Sequence, residues 1–117
     1  MSKDRYTECT FLIPVCGDTD LSEGELHSPF IEVWLQDELF RLFGGATTAP
    51  GEYEGFYTDP DSGHRIADKS HKFIVAVSED KIDDLRQLLS ETCLVFKQKY
   101  IYLSIAGQVE FIEPPAS

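Results

Sequence analysis

A chain of 117 residues has room for one domain, and at this size folding buries about two-thirds of the surface that the unfolded chain exposes. With 42% hydrophobic and 12% aromatic residues it is excluded from the disordered acidic tails. Its 21 acids against 10 bases leave a formal net charge of −11, and the bases are dispersed, so nucleic acid is excluded as an expected partner.

Met1 to Arg5 leads into a strand pattern without the apolar core of a signal peptide, and no apolar run approaches the roughly 20 residues that span a bilayer. The expected location is cytoplasmic, with no membrane association. Thr7 to Val15 alternates around Cys9, Phe11 and Ile13, which predicts a strand that leaves its ladder near Pro14. A polar loop from Cys16 to His27 follows. Ser28-Pro29 then supplies an N-cap and a proline at the first helical position. Ile31, Leu35, Leu39 and Leu42 recur at helical spacing, flanked by Phe30, Trp34 and Phe43. Gly44-Gly45 ends that helix, and one of the two is expected to hold a positive φ.

Ala46 to Tyr57 reads as a strand with an irregular start at Pro50-Gly51. Asp59-Pro60-Asp61-Ser62-Gly63 is a turn, because proline presets φ, aspartate caps local N–H groups and glycine takes the positive φ. The strand that follows runs to Val77, so a hairpin spans Tyr53 to Val77. A second helix starts near Ser78 to Asp80, with its buried seam at Ile82, Leu85, Leu89 and Phe96 and with Lys97 and Lys99 expected in its last turn. Tyr100 to Ile105 is a strand. A short turn at Ala106-Gly107-Gln108 then leads into Val109 to Ile112, which the proline-rich tail stops.

The order strand, helix, strand, strand, helix, strand, plus a short extra strand, predicts an α+β fold. We expect a ferredoxin-like (βαββαβ) two-layer sandwich with an antiparallel sheet, over residues 1–117 as a single domain. In the Tyr100–Ile105 strand, Ile101, Leu103 and Ile105 point to one face and Tyr100, Tyr102 and Ser104 to the other. Two helices cannot cover both faces, and the tyrosine-bearing one predicts a homodimer. RNA-recognition domains share the element order, but Lys69 to Val75 lacks their base-Gly-aromatic signature.

Candidate chemistry is sparse. From Asp18 an EF-hand count places Glu23 where glycine belongs and Pro29 where a bidentate glutamate belongs, so this is an acidic surface loop and no metal is expected. Gly44-Gly45 follows a helix, whereas phosphate loops precede one. Cys9, Cys16 and Cys93 show no paired spacing and are expected as thiols, and Cys93 on an apolar helix seam should be inert. No local nucleophile motif and no cofactor signature is present. His64, Arg65, Tyr53 and Tyr57 could line a site for a small anionic ligand, since Arg offers a planar fork and His titrates near neutrality.

Leu42-Phe43-Gly44-Gly45-Ala46-Thr47, the aromatic Gly-marked strand, the Asp59 to Gly63 turn and the closing apolar strand together resemble a family of short bacterial proteins of unknown function. The resemblance covers about residues 6 to 113 and implies a ferredoxin-like shape with no activity or site to transfer. Phe56-Tyr57 stands where those proteins tend to carry Trp. The reading reached here is a binding or interaction module that acts as a homodimer without catalysis. The alternative is a small enzyme of the dimeric ferredoxin-like kind, with its site near His64, Arg65 and Tyr53/Tyr57.

Overall fold

In the computed structural model, residues 5–19 and 21–116 are described. Asp20 of the acidic loop and the first four residues lie outside them. The elements are β1 (Tyr6–Pro14), α1 (Pro29–Phe43), β2 (Thr47–Thr48), β3 (Tyr53–Thr58), β4 (Arg65–Ser78), α2 (Ile82–Val95, entered through a 3-10 turn at Glu79–Lys81), β5 (Ile101–Ile105) and β6 (Gln108–Ile112). Along one sheet the order is β2-β4-β1-β5-β6, with β3 beside β2 on the same edge of β4, and every pairing is antiparallel. Taking β2 and β3 as one interrupted strand gives the ferredoxin-like order, with β6 added outside β5. Among the described residues no helix is long and apolar enough to cross a membrane.

Strict alternation sorts the side chains. Cys9, Phe11 and Ile13 of β1 register with Val75, Phe73 and His71 of β4, and with Ile105 and Leu103 of β5. Together with Val77 and Ile101 these apolar residues make the sheet side of the core, and Phe11 stacks on Phe73 with ring centroids 5.1 Å apart. Leu35 and Leu39 of α1 and Leu85, Leu88 and Leu89 of α2 close it from above. Burial of one such leucine contributes about 1.5–3 kcal/mol. The stripe on α1 is narrower than its sequence predicts. Ile31, Trp34, Leu42 and Phe43 only border the core, and Phe30 is exposed. An Arg86 guanidinium on α2 donates to both carboxylate oxygens of Glu110 at 2.9 and 2.7 Å, which pins β6 under the helix.

Both helix ends of α1 follow local rules. The Ser28 hydroxyl accepts the Phe30 N–H, Pro29 occupies the first turn, and Gly44 at φ 82° donates its N–H to the Phe40 carbonyl. The end of α2 corrects the sequence reading. Lys97 and Lys99 are not in its last turn, because the helix stops at Val95 and Lys97 adopts φ 53°. The Gln98 N–H returns to the Cys93 carbonyl at 2.8 Å and the Lys97 N–H to Leu94 at 3.3 Å, the paired bonds of a Schellman ending built without glycine.

Gly44→Val should lose about 1–3 kcal/mol of unfolding free energy in denaturant titration, because a β-branched residue is strained at that φ. Gly44→Asn should lose less. Equal losses for the two variants would show that the left-handed backbone is not what the position requires.

Candidate functional site

β4 has 14 residues, but β1 pairs only with its half from Ser70 to Ser78. Its first residues, with β3, form a hairpin that overhangs the sheet. Opposite residues share a face, so the pairs Tyr53–Ser70, Gly55–Asp68 and Tyr57–Ile66 lie on the face without helices, and Glu54–Lys69, Phe56–Ala67 and Thr58–Arg65 lie on the other. The four residues proposed from sequence therefore do not converge. Tyr53 and Tyr57 share a face, Arg65 is exposed on the opposite one, and His64 is exposed in the turn. There its N–H donates to the Ser62 hydroxyl at 3.2 Å.

On the tyrosine face the structure gathers groups that the sequence reading missed. Gly55 leaves room for the Asp68 carboxylate, since a Cβ at Gly55 would stand 2.7 Å from Asp68 Oδ1. Asp68 is half-buried, and desolvation first, then the Asp18 charge, raises its pKa above the usual carboxylate value. Tyr57 sits diagonally across the pair from Asp68. Its phenol is pushed up to about 12, chiefly by desolvation and then by the charges of Asp18, Asp68 and Asp59, while Lys99 opposes them. It stays protonated at any physiological pH. Nearby, the Lys72 ammonium lies 5.5 Å from the centre of the Tyr53 ring.

Two loops complete the cluster. The Asp59–Gly63 turn forms as its sequence predicts: Asp59 Oδ1 accepts the Asp61 N–H at 3.1 Å, Oδ2 accepts the Ser62 hydroxyl at 2.9 Å, and Gly63 has φ 74°. Asp59 is nonetheless buried, and those two donors, followed by Lys99, hold its carboxyl below the ordinary value. The Lys99 ammonium stands 3.3 Å from Asp59 Oδ2 and 3.2 Å from Asp61 Oδ2. Its backbone N–H donates to Asp18 Oδ2 at 2.6 Å. Perturbed titratable groups that converge in this way on one face make the cluster a candidate functional site. The one available sequence signal was glycine opposite aspartate in a hairpin register, which becomes readable only once the turn length is known.

Elsewhere the molecule is less specific. An open groove of about 450 Å3 between α1 and the β2–β3 connection is bordered by Glu32, Gln36, Glu52 and His71, with His71 Nδ1 3.6 Å from Glu32 Oε1. Cys93 is buried, with its thiol pushed up to about 12 by desolvation, which leaves it unreactive. Among the described residues no group of three His, Cys, Asp or Glu stands close enough to hold a metal ion.

No protein-family model and no curated protein matches the chain. Two solved structures are similar in fold. A phage SAM lyase in complex with S-methyl-5'-thioadenosine superposes with a TM-score of 0.73 at 16% identity, over 97% of this chain and 93% of that one. A phage SAM lyase in its apo state superposes with a TM-score of 0.56 at 17% identity, over 100% and 95%. These neighbours correct the expectation of a binding module without catalysis. Both neighbours are enzymes that share this fold along nearly the whole chain, which is compatible with the alternative of a small enzyme.

Asp68→Asn should raise stability at neutral pH and flatten its pH dependence. A raised folded-state pKa means that the folded protein holds a proton the unfolded chain has lost, so wild-type stability falls as pH rises from the ordinary carboxylate pKa through the raised one. Thermal melts of both proteins from pH 4 to 8 check this. A variant less stable than wild type throughout would contradict it.

Proposed function

We propose that this protein is a lyase acting on a sulfonium nucleoside, S-adenosylmethionine, and releasing S-methyl-5'-thioadenosine. What carries the proposal is the full-length fold similarity to a phage SAM lyase bound to that thioadenosine, joined to an acid-and-tyrosine cluster on one face of the chain. The charge supports it as well. A protein of net charge −11 attracts a cationic substrate, and carboxylates at the site suit a sulfonium in place of the small anion anticipated from Arg65 and His64.

The chemistry must balance without water. The bond between the sulfonium sulfur and the γ-carbon of the aminobutyryl chain breaks, and its electron pair stays on sulfur, which becomes a neutral thioether. The four-carbon fragment either closes on its own carboxylate to a lactone or gives up a β-carbon proton to a carboxylate base, leaving an alkene. Charge is annihilated either way, and a half-buried site favours that transition state over the charged substrate more than water does. Asp68 and Asp18 then serve to recognise and orient the cation, since a carboxylate beside a sulfonium attracts the substrate more than the product. The Tyr57 phenol, protonated throughout, donates a hydrogen bond to a substrate acceptor, and Tyr53 provides an aromatic wall.

Self-association through the helix-free face, expected from sequence as a homodimer, belongs to the same proposal. Phe111 and Val109 are exposed on that face, Tyr57 is partly exposed there, and Tyr102 packs edge-on against Phe111 at 6.0 Å. A second copy there would cover a site that one chain leaves open.

Incubation of the purified protein with S-adenosylmethionine should release S-methyl-5'-thioadenosine above the uncatalysed background. Tyr57→Phe and Asp68→Asn should each lose at least about tenfold in kcat/KM, which corresponds to about 1.4 kcal/mol, while Arg65→Ala stays near wild type. Background-level product from wild type would end the proposal. Light scattering should count more than one copy, and a monomer at high micromolar concentration would remove the interface.

A further inference from the structure

The segment that follows α2 is stitched to two loops remote from it in sequence. Towards the N-terminal loop, the Gln98 side-chain amide donates to the Cys16 carbonyl at 2.8 Å, the Asp18 N–H donates to the Lys97 carbonyl at 2.8 Å, and the Lys99 N–H donates to Asp18 Oδ2 at 2.6 Å. Towards the hairpin turn, the Lys99 ammonium spans Asp59 and Asp61. Its side chain is 19% exposed and that of Asp59 7%, so the pair is largely withdrawn from solvent, whereas Asp61 at 66% forms an outer arm.

We propose that Lys99 is a positioning residue of the Tyr57–Asp68 site, holding the β3–β4 turn against the loop that carries Asp18. This rests on the reading of that site given above. The overhanging half of the hairpin has no β1 partner before Ser70, and its β4 edge is met there by the Val15 N–H, which bonds to the Lys69 carbonyl at 2.9 Å. The Lys99 ammonium offsets the charges of Asp59 and Asp61, and without it their repulsion would swing the turn outward. Tyr57 lies between Phe56 and Thr58 at the entry to that turn, so the partial desolvation of its phenol depends on the turn staying closed.

The direction of the Tyr57 titration separates positioning from simple charge. The groups facing the phenol are Asp18, Asp68, Asp59 and Lys99. If Lys99 acted on Tyr57 by charge alone, its removal would raise the phenol further. If it holds the turn closed, its removal lets more water reach the phenol, and desolvation, the largest cause of the shift, weakens. In Lys99→Met, ultraviolet titration should therefore show Tyr57 moving down from about 12 toward the ordinary tyrosine value, assigned by the absence of that component in Tyr57→Phe. Hydrogen exchange at the Asp18 and Asp61 amides should quicken. Lys99→Arg, which keeps the bridge, should restore both readings, and KM for S-adenosylmethionine should rise at least tenfold in Lys99→Met but not in Lys99→Arg. Should Lys99→Met fail to fold, Asp61→Asn, which loosens only the exposed arm, should give the same downward movement in smaller measure. An unchanged or raised Tyr57 titration, or no restoration by arginine, overturns the proposal. A wild-type protein that releases no thioadenosine overturns the functional reading instead, and the titration still decides the role of Lys99.

Discussion

The geometry of the whole molecule follows from one long strand with two edges and two faces. β4 pairs with β1 on one edge and with β2 and β3 on the other, but the two partners are offset along it. The side-chain period of two then assigns Phe73, Val75 and Val77 to the helices and Ser70, Asp68 and Ile66 to the opposite face. A slip of one residue would turn Lys72 toward the helices and expose the phenylalanine that stacks on Phe11. Core and site are thus specified by the same register, and neither can be shifted without losing the other.

The second constraint is the way α2 ends. A non-glycine residue in the left-handed region costs roughly 1–2 kcal/mol, and Lys97 accepts that conformation where the two return hydrogen bonds and the burial of Gln98 offset it. The sharp ending points Gln98 inward at Cys16 and sends Lys99 to the hairpin turn. Had the helix run on through Lys99, as its charge pattern suggested, both contacts would be lost. The Asp18 loop and the Asp59 turn would then have no common anchor.

The site joins features that usually conflict. Asp68 is held where its charge is disfavoured, and Tyr57 is held among carboxylates that oppose its ionisation. Asp59, a few residues away, is stabilised as the anion by its own turn. Stability alone would select against the Asp68 arrangement. A bound cation relieves it, because a positive charge beside two carboxylates offsets their desolvation and their mutual repulsion. The local electrostatics therefore suit the cationic substrate proposed above.

Much of the architecture was legible from local signals in the sequence. Ser28-Pro29 and Gly44 bracket α1, Asp59 to Gly63 closes the hairpin, and alternation in β1 and β5 names the core face, because capping, turn chemistry and side-chain period act within a few residues. The same locality explains what was missed. Arg65 and His64 looked like a site beside Tyr53 and Tyr57 because they are near in sequence, yet the register sends Arg65 to the other face. Lys99 looked like a helix-dipole residue, and only contacts spanning 40 and 81 residues make it a bridge between Asp59 and Asp18. Charge state depends on burial and on neighbours brought together by the chain's path, so the sequence by itself determined the elements and their faces, while the tertiary structure decided which acids and tyrosines meet.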